Sequence, residues 1–217
     1  MKNIIFKLNL QLFATGHYPK NPKQGQELQT DVTGLQNDRG FISHLSLSAT
    51  EAVAASTTGV HAAVTDNGAQ QVITADITNP PFTRCITATA GGTAGDIKAI
   101  QVTVVGTNIN DEVITEILPV FTVDTAGTVV GLKAFKTVTS ITIPAHDGTG
   151  ATTAIGFGDK IGLPDLLPGD TVNMVLFGGT REATAATVTA STTALESNTV
   201  DLNSALDGSV VDIFYIA

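Results

Sequence analysis

Short apolar segments, separated by turns rich in glycine, asparagine, aspartate and proline, follow one another from residue 57 to the C-terminus. They recur about every ten residues, and many alternate apolar with polar side chains, as β-strands do. Beyond residue 56 no stretch has the amphipathic period and length of a helix. This pattern favours an antiparallel sandwich or barrel over parallel βαβ units. We therefore predict an all-β fold with an antiparallel β-sandwich or barrel-like body.

The pattern divides the chain into three parts. Residues 1–56 mix proline, glycine, glutamine and asparagine without a lasting period, which predicts an extended, mostly irregular N-terminal arm. Residues 57–163 would form the β-sandwich body. Residues 164–217 would form a C-terminal β-hairpin unit, either separate or part of the same sandwich. Within the arm, Ser48 and Glu51 have the spacing of a capping box, which predicts a short helix at 48–55.

Two segments within the body have specific strand patterns. Segments 60–65 and 70–78 flank Asp66-Asn67-Gly68, a sequence typical of hairpin turns, and are predicted to be paired strands. Segment 97–105 has the clearest alternation of the chain. Its inward-facing side chains are predicted to be Ile100, Val102 and Val104.

Charged residues are scarce and mostly acidic. They make up 14% of the chain, against about 25% in typical globular proteins, and the formal net charge is −9. A nucleic-acid partner would require a basic patch, so we expect no direct nucleic-acid binding. No apolar stretch approaches the roughly eighteen residues of a membrane-spanning helix, so we expect no membrane partner. Low charge over so long a chain predicts that neighbouring subunits cover much of its surface.

Groups with catalytic or metal-binding chemistry are few. His146-Asp147 is an adjacent histidine–carboxylate pair, but the sequence has no Gly-x-Ser-x-Gly motif, so we expect a histidine in solvent or in an interface. Glu112 and Glu116 lie roughly 13 Å apart at Cα on a predicted strand, too far to chelate one cation, which predicts a solvated face. Cys85 lies in an apolar run and is expected to be a buried, inert thiol.

The glycine-rich segment 91–96 superficially resembles a phosphate-binding loop. It lacks the Lys-Ser/Thr ending of a P-loop, and a predicted strand follows it instead of a helix. We therefore predict a strand connector. Taken with the other groups, this predicts no catalytic residue, no metal site and no cofactor, and a chain that is not an enzyme.

Four segments carry a resemblance to virion proteins. Asn9-Leu10-Gln11-Leu12-Phe13-Ala14 resembles the opening of many structural and head-assembly proteins from tailed phages and prophages of Gram-positive bacteria. Segments 97–107, 112–116 and 133–141 resemble small structural proteins of the same phages. With the first fourteen residues they comprise 39 of the 217 residues. Major capsid proteins of tailed phages are longer and carry a long helix, so the resemblance does not extend to the shell subunit.

The resemblance implies a decoration, cement or head-fibre subunit on the outer surface of a phage capsid, assembled in the host cytoplasm. Its partners would be the major capsid protein or other virion subunits. Further copies of the chain would cover exposed strand edges, and a trimer is favoured. The arm would anchor the subunit through its apolar side chains, which are Ile4, Ile5, Phe6, Leu8, Leu10, Leu12 and Phe13.

Two other interpretations of the sequence stay open. A tail-tube, neck or connector protein would also be β-rich, oligomeric and free of catalytic residues. A carbohydrate-binding adhesin domain is less favoured, because glycan sites stack sugars on aromatic rings and this chain has no Trp and two Tyr, Tyr18 and Tyr215. A secretory signal is not expected at the N-terminus, because Lys7, Asn9 and Gln11 interrupt its apolar run.

Overall fold

A computed structural model of the chain describes residues 27–29, 36–38 and 42–217. These residues form antiparallel strands and two short 3₁₀ turns, Ala94–Asp96 and Leu195–Ser197, which confirms the all-β prediction. The strands are β1 (Glu27–Gln29), β2 (Gln36–Asp38), β3 (Ile42–Leu47), β4 (Ser56–Thr65), β5 (Gln71–Ile73), β6 (Arg84–Gly92), β7 (Thr103–Thr107), β8 (Val113–Ile117), β9 (Gly127–Phe135), β10 (Thr137–Ile143), β11 (Ala151–Gly162), β12 (Val172–Phe177), β13 (Thr180–Arg181), β14 (Thr187–Thr189), β15 (Thr199–Asp201) and β16 (Val211–Ile216).

The strands form three larger sheets and one isolated pair, β1–β2. The central sheet has the order β14-β15-β11-β6-β9, and β4 also pairs with β11. The outer sheet has the order β5-β10-β7-β8. The C-terminal sheet has the order β13-β12-β16-β3. Every strand pair in these sheets is antiparallel.

The main core lies between the central and outer sheets. Ile86 of β6 and Ile155 of β11 face it from the central sheet, while Val104 of β7 and Ile141 of β10 face it from the outer sheet; none of these four has exposed surface. The predicted inward set, Ile100, Val102 and Val104, is confirmed, since all three are buried in this core. Two sheets packed over a shared apolar layer form a β-sandwich.

A second core lies under the C-terminal sheet, and β11 links it to the first. Ile155 of β11 belongs to the main core, whereas Ile161 near the other end of β11 belongs to the second. β15 pairs with β11 at Ile161 and Gly162, so the chain after Pro164 returns to the central sheet. β3, which lies within the predicted arm, pairs along its whole length with β16.

Two glycines allow strands to pack closer than side chains would permit. A Cβ on Gly156 of β11 would overlap the Ser56 carbonyl oxygen of β4, and a Cβ on Gly106 of β7 would overlap the Thr137 carbonyl oxygen. Overlap with backbone cannot be relieved by a rotamer change, so these positions accept no larger residue without moving a strand.

Two predictions about local structure are wrong. The turn at 66–68 forms, with Asp66 and Asn67 each accepting a backbone N–H two residues on. The strands on either side do not pair, however, because β4 joins β11 and β5 joins β10. The Ser48–Glu51 box closes one turn instead of a helix: the Ser48 N–H and Oγ donate to the Glu51 carboxylate at 2.9 and 2.6 Å.

The predicted strand at 97–105 is shorter than expected. Its ladder runs only through β7, while residues before Thr103 make isolated backbone bonds, among them Phe121 N–H to the Ile100 carbonyl at 3.1 Å. The extended backbone therefore continues, but its partner is an irregular segment and not a strand.

Candidate interaction surface

The predicted anchor of the arm lies outside the described residues. This applies to all seven of its side chains, Ile4, Ile5, Phe6, Leu8, Leu10, Leu12 and Phe13.

The solvent-facing side of the outer sheet carries no charged side chain. We call this side the outer face. Strand register places Val72, Thr142, Thr103 and Ile117 in one row across the four strands. Its members are exposed or half-buried threonine, serine, valine and isoleucine residues, namely Val72, Thr103, Val105, Thr107, Val113, Thr115, Ile117, Thr137, Thr139, Ser140 and Thr142.

Among the described residues, no strand pairs with the outer edge of the outer face. β8 is the last strand of its sheet, and its side chains Val113 and Ile117 are 77% and 62% exposed. Soluble proteins usually blunt such edges with charged side chains, prolines or bulges. The nearest ion pair, Lys136 to Asp111 at 2.8 Å, lies at the strand ends and not on the face. An uncharged face with an open edge is typical of a surface that another chain covers.

His146 was expected in solvent or in an interface, and that prediction is wrong. Its side chain is buried, and its backbone N–H donates to Asp66 Oδ1 at 2.9 Å. The Lys98 backbone N–H donates to Nδ1, so Nε2 carries the ring proton and donates to Thr153 Oγ1 at 2.9 Å. Burial lowers the pKa of His146, which favours this neutral form. The ring therefore braces the loop before β11.

Glu116 was expected on a solvated face, and that prediction is also wrong. It is 7% exposed and shares the inward side of β8 with Ile114. Its Oε1 accepts the Leu132 N–H at 2.6 Å, and its carboxylate also accepts the Lys133 N–H at 3.3 Å. These two residues lie in a bulge of β9, so the carboxylate ties the edge of the outer sheet to the edge of the central sheet.

Glu116 should make stability depend on pH in a defined direction. Burial raises its pKa despite the N–H donors, so the folded state favours the protonated acid. Its contribution to folding is therefore fully present below the unfolded pKa and is lost as pH rises through the folded pKa. We expect Glu116→Gln to be tolerated at neutral pH, because an amide oxygen still accepts the Leu132 N–H, and we expect Glu116→Ala to cost about 1–3 kcal/mol.

Urea unfolding of both variants across acidic to neutral pH measures these effects. The stability of wild type relative to Glu116→Gln should increase as the pH falls, since the other titrating groups are shared. A pH-independent difference between the two would show that the carboxylate does not titrate with folding.

The glycine-rich segment 91–96 packs against the loop at 147–150 through Asp96. Its carboxylate accepts the Gly150 N–H at 2.9 Å, and its carbonyl accepts the Asp147 N–H at 3.1 Å. A Cβ on Gly148 would overlap this carboxylate. Segment 91–96 thus ends β6 and turns the chain at Ala94–Asp96. The Asp96 carboxylate and carbonyl thus accept N–H groups of the protein itself.

A bulge in β11 opens a groove beside the central sheet. Phe157 pairs with Ile86 and Ile161 pairs with Arg84, so three residues of β11 oppose one residue of β6. The resulting cavity of about 390 Å³ has Phe157 and Val130 among its apolar lining residues, with Asp159 and Lys160 among its polar ones.

The bulge also contains Asp159, which forms an ion pair with the buried Arg84 side chain. The Arg84 side chain has no exposed surface, and its Nη2 donates to Asp159 Oδ1 at 3.1 Å. Its Nη1 donates to the Val53 carbonyl at 2.7 Å, and its Cζ lies 4.8 Å from the Phe157 ring centroid. Burial lowers the pKa of Arg84 to about 10, which leaves the guanidinium charged at neutral pH. Arg84 therefore joins the segment before β4 to β6 and β11.

Cys85 is buried, as predicted, and burial raises its pKa to about 12, which keeps it a thiol. Across residues 27–29, 36–38 and 42–217, no cluster of three or more His, Cys, Asp or Glu side chains has the arrangement of a metal site. In the same part of the chain, no helix has the length and apolarity to cross a membrane.

A scan against protein-family models matched no family, and searches of curated proteins and of solved structures gave no match.

The outer face is the feature that sequence reasoning missed. Its signal is present in the chain, because Thr103, Val105 and Thr107 alternate with buried residues on β7 and carry no charge. Recognising the face required knowing that β5, β7, β8 and β10 share one sheet, and the local sequence does not state this pairing.

Proposed function

We propose that the chain is a non-enzymatic structural protein of a phage virion. It would bind the outer surface of the capsid as a decoration, cement or head-fibre subunit, with the major capsid protein or other virion subunits as partners. The observation that carries this proposal is the uncharged outer face with its open β8 edge, a surface suited to being covered by other chains. The resemblance of the first fourteen residues to phage head proteins supports the choice of partner.

The size of the outer face explains why an arm would be needed. Four strands about 4.8 Å apart, each about five residues long, give a face of roughly 15 Å on a side. Stable interfaces bury about 800 Å² per partner. The outer face supplies only a fraction of that area, so the apolar arm would contribute the remainder.

A catalytic histidine or a sugar-stacking tyrosine would have to be free for a ligand, but His146 and Tyr215 both make their contacts within the body. The buried His146 makes three hydrogen bonds within the body, which disfavours it as a catalytic base. Tyr215 is 1% exposed and donates its hydroxyl to Asp165 at 2.6 Å, so its ring cannot stack on a sugar. The burial of Tyr215 disfavours the adhesin alternative. A tail-tube, neck or connector ring stays an alternative outcome of the capsid experiment.

Charges placed on the outer face should weaken capsid binding. Val72→Lys combined with Thr139→Lys adds two exposed ammonium groups, and we expect at least about tenfold weaker binding because each must be desolvated in the contact. Co-sedimentation with capsids assembled without this protein measures the effect.

Thr187→Lys combined with Val210→Lys is the matched control, since both residues are exposed outside the outer face. Equal loss of binding in both double variants would point to a general charge effect and against the outer face as the contact.

A further inference from the structure

The backbone of β8 offers hydrogen-bonding groups on its open side. The Asn108 N–H donates to the Glu112 carbonyl at 2.9 Å, and the Leu118 N–H donates to the Val102 carbonyl at 2.8 Å. Antiparallel ladders bond every second residue, so Ile114 and Glu116 also bond toward β7. The N–H and C=O groups of the alternate residues, Val113, Thr115 and Ile117, therefore point to the edge with which no strand pairs in residues 27–29, 36–38 and 42–217.

We propose that β8 pairs with β8 of a second copy of this chain, antiparallel about a two-fold axis at Thr115. Thr115 would face Thr115 of the other copy, and Val113 would face Ile117. Three such pairs exchange six backbone hydrogen bonds and join two outer sheets into one eight-stranded sheet. Because the axis relates identical edges, the contact is closed and forms a dimer.

The number of backbone hydrogen bonds selects this register over its neighbours. With Thr115 at the centre, Val113, Thr115 and Ile117 all find partners within β8 of the other copy. A shift of the centre to Ile114 or to Glu116 would leave only two such pairs within the strand. The shift to Glu116 would also place Val113 opposite Pro119, which has no N–H to donate.

The side chains fit the same arrangement. Val113 and Ile117, the two exposed apolar side chains of the strand, would form a cross-strand apolar pair on each side of the axis. The edges formed by β5, β9 and β14 suit it less: β5 and β14 have three residues each, and β9 is interrupted by a bulge and carries Lys133.

This pairing would supply a specific contact for the homo-oligomer expected from the sequence, and it rests on β8 itself. The sequence favoured a trimer, whereas a self-complementary edge favours a two-fold pair. Five residues per copy bury much less than the roughly 800 Å² of a stable interface, so we expect a reversible, concentration-dependent dimer.

Cysteine crosslinking of the purified protein tests the register. Facing Thr115 residues would be about 5.5 Å apart at Cα, within the range of a disulfide, so oxidised Thr115→Cys should form a covalent dimer. Val113→Cys is the control: it would face Ile117 and lie too far from its own counterpart. Combining Val113→Cys with Ile117→Cys should restore crosslinking. Equal crosslinking of the two single variants, or none in Thr115→Cys, would overturn the pairing.

Thr115→Pro provides a second test by sedimentation velocity. It removes an N–H that faces the open edge, where proline is tolerated, so the fold should persist while the dimer is lost. Far-UV circular dichroism checks the fold. A wild-type protein that stays monomeric at high concentration, a trimer, or a dimer that survives Thr115→Pro would each overturn the proposal. The capsid-binding proposal would be unaffected, because no capsid is present.

Discussion

Arg84→Met is expected to lower the free energy of unfolding by about 3–5 kcal/mol, because it removes one member of a buried ion pair. The substitution keeps an apolar side chain of similar length but leaves the Val53 carbonyl without its 2.7 Å donor. It also leaves Asp159, which is 29% exposed, without its cation. The stacking of the guanidinium on Phe157 is lost as well. The partial exposure of Asp159 places the expected loss toward the lower end of that range.

Urea unfolding measures this loss, with Arg181→Met as the matched control. Arg181 is exposed on β13, and its substitution should change stability by less than about 0.5 kcal/mol. Adding Asp159→Asn to Arg84→Met should recover part of the loss, since the uncompensated carboxylate disappears. Similar stabilities for Arg84→Met and Arg181→Met would show that the buried ion pair does not hold the segment before β4.

Replacement of the arm's seven apolar residues by serine is expected to weaken capsid binding by more than about 100-fold. Burial of one Leu, Ile or Phe side chain contributes about 1.5–3 kcal/mol, so the loss of even two contacts would exceed that factor. The residues are Ile4, Ile5, Phe6, Leu8, Leu10, Leu12 and Phe13. Co-sedimentation with capsids assembled without this protein measures the effect.

A variant with Asn3, Asn9 and Gln11 replaced by serine serves as the control for the arm. It changes the same segment without removing apolar side chains, and we expect it to bind as wild type does. Unfolding of both variants should match wild type if the arm acts on a partner. Undiminished capsid binding by the seven-serine variant would place the anchor elsewhere on the molecule.

Local alternation predicted the fold class and three side chains of the main core. Ile100, Val102 and Val104 are inward because alternating side chains point to opposite faces whether or not the backbone has a strand partner. The pairing of strands could not be predicted from the local sequence. Asp66-Asn67-Gly68 forms its turn, yet the turn passes the chain from the central sheet to the outer sheet. Turn chemistry fixes the local backbone, whereas partner choice depends on distant strands such as β10 and β11.

The burial of the polar side chains Glu116 and His146 could not be predicted from the local sequence either. A carboxylate on a strand is usually solvated, so the sequence favoured exposure for Glu116. Its burial depends on two backbone N–H groups in a bulge of β9, sixteen and seventeen residues further on. The buried His146 ring accepts the Lys98 N–H, which is forty-eight residues away, and Asp66, eighty residues away, accepts the His146 backbone N–H. In both cases the compensating partner is remote in sequence, so no short motif records it.

The most direct test of the proposed function is cryo-electron microscopy of capsids assembled without this protein and then mixed with it. Full-length protein should occupy symmetric positions on the outer surface of the shell, and protein lacking residues 1–14 should leave those positions empty. Bare shells after mixing, together with rings or tubes of the free protein, would contradict the capsid assignment and support a tail or neck protein.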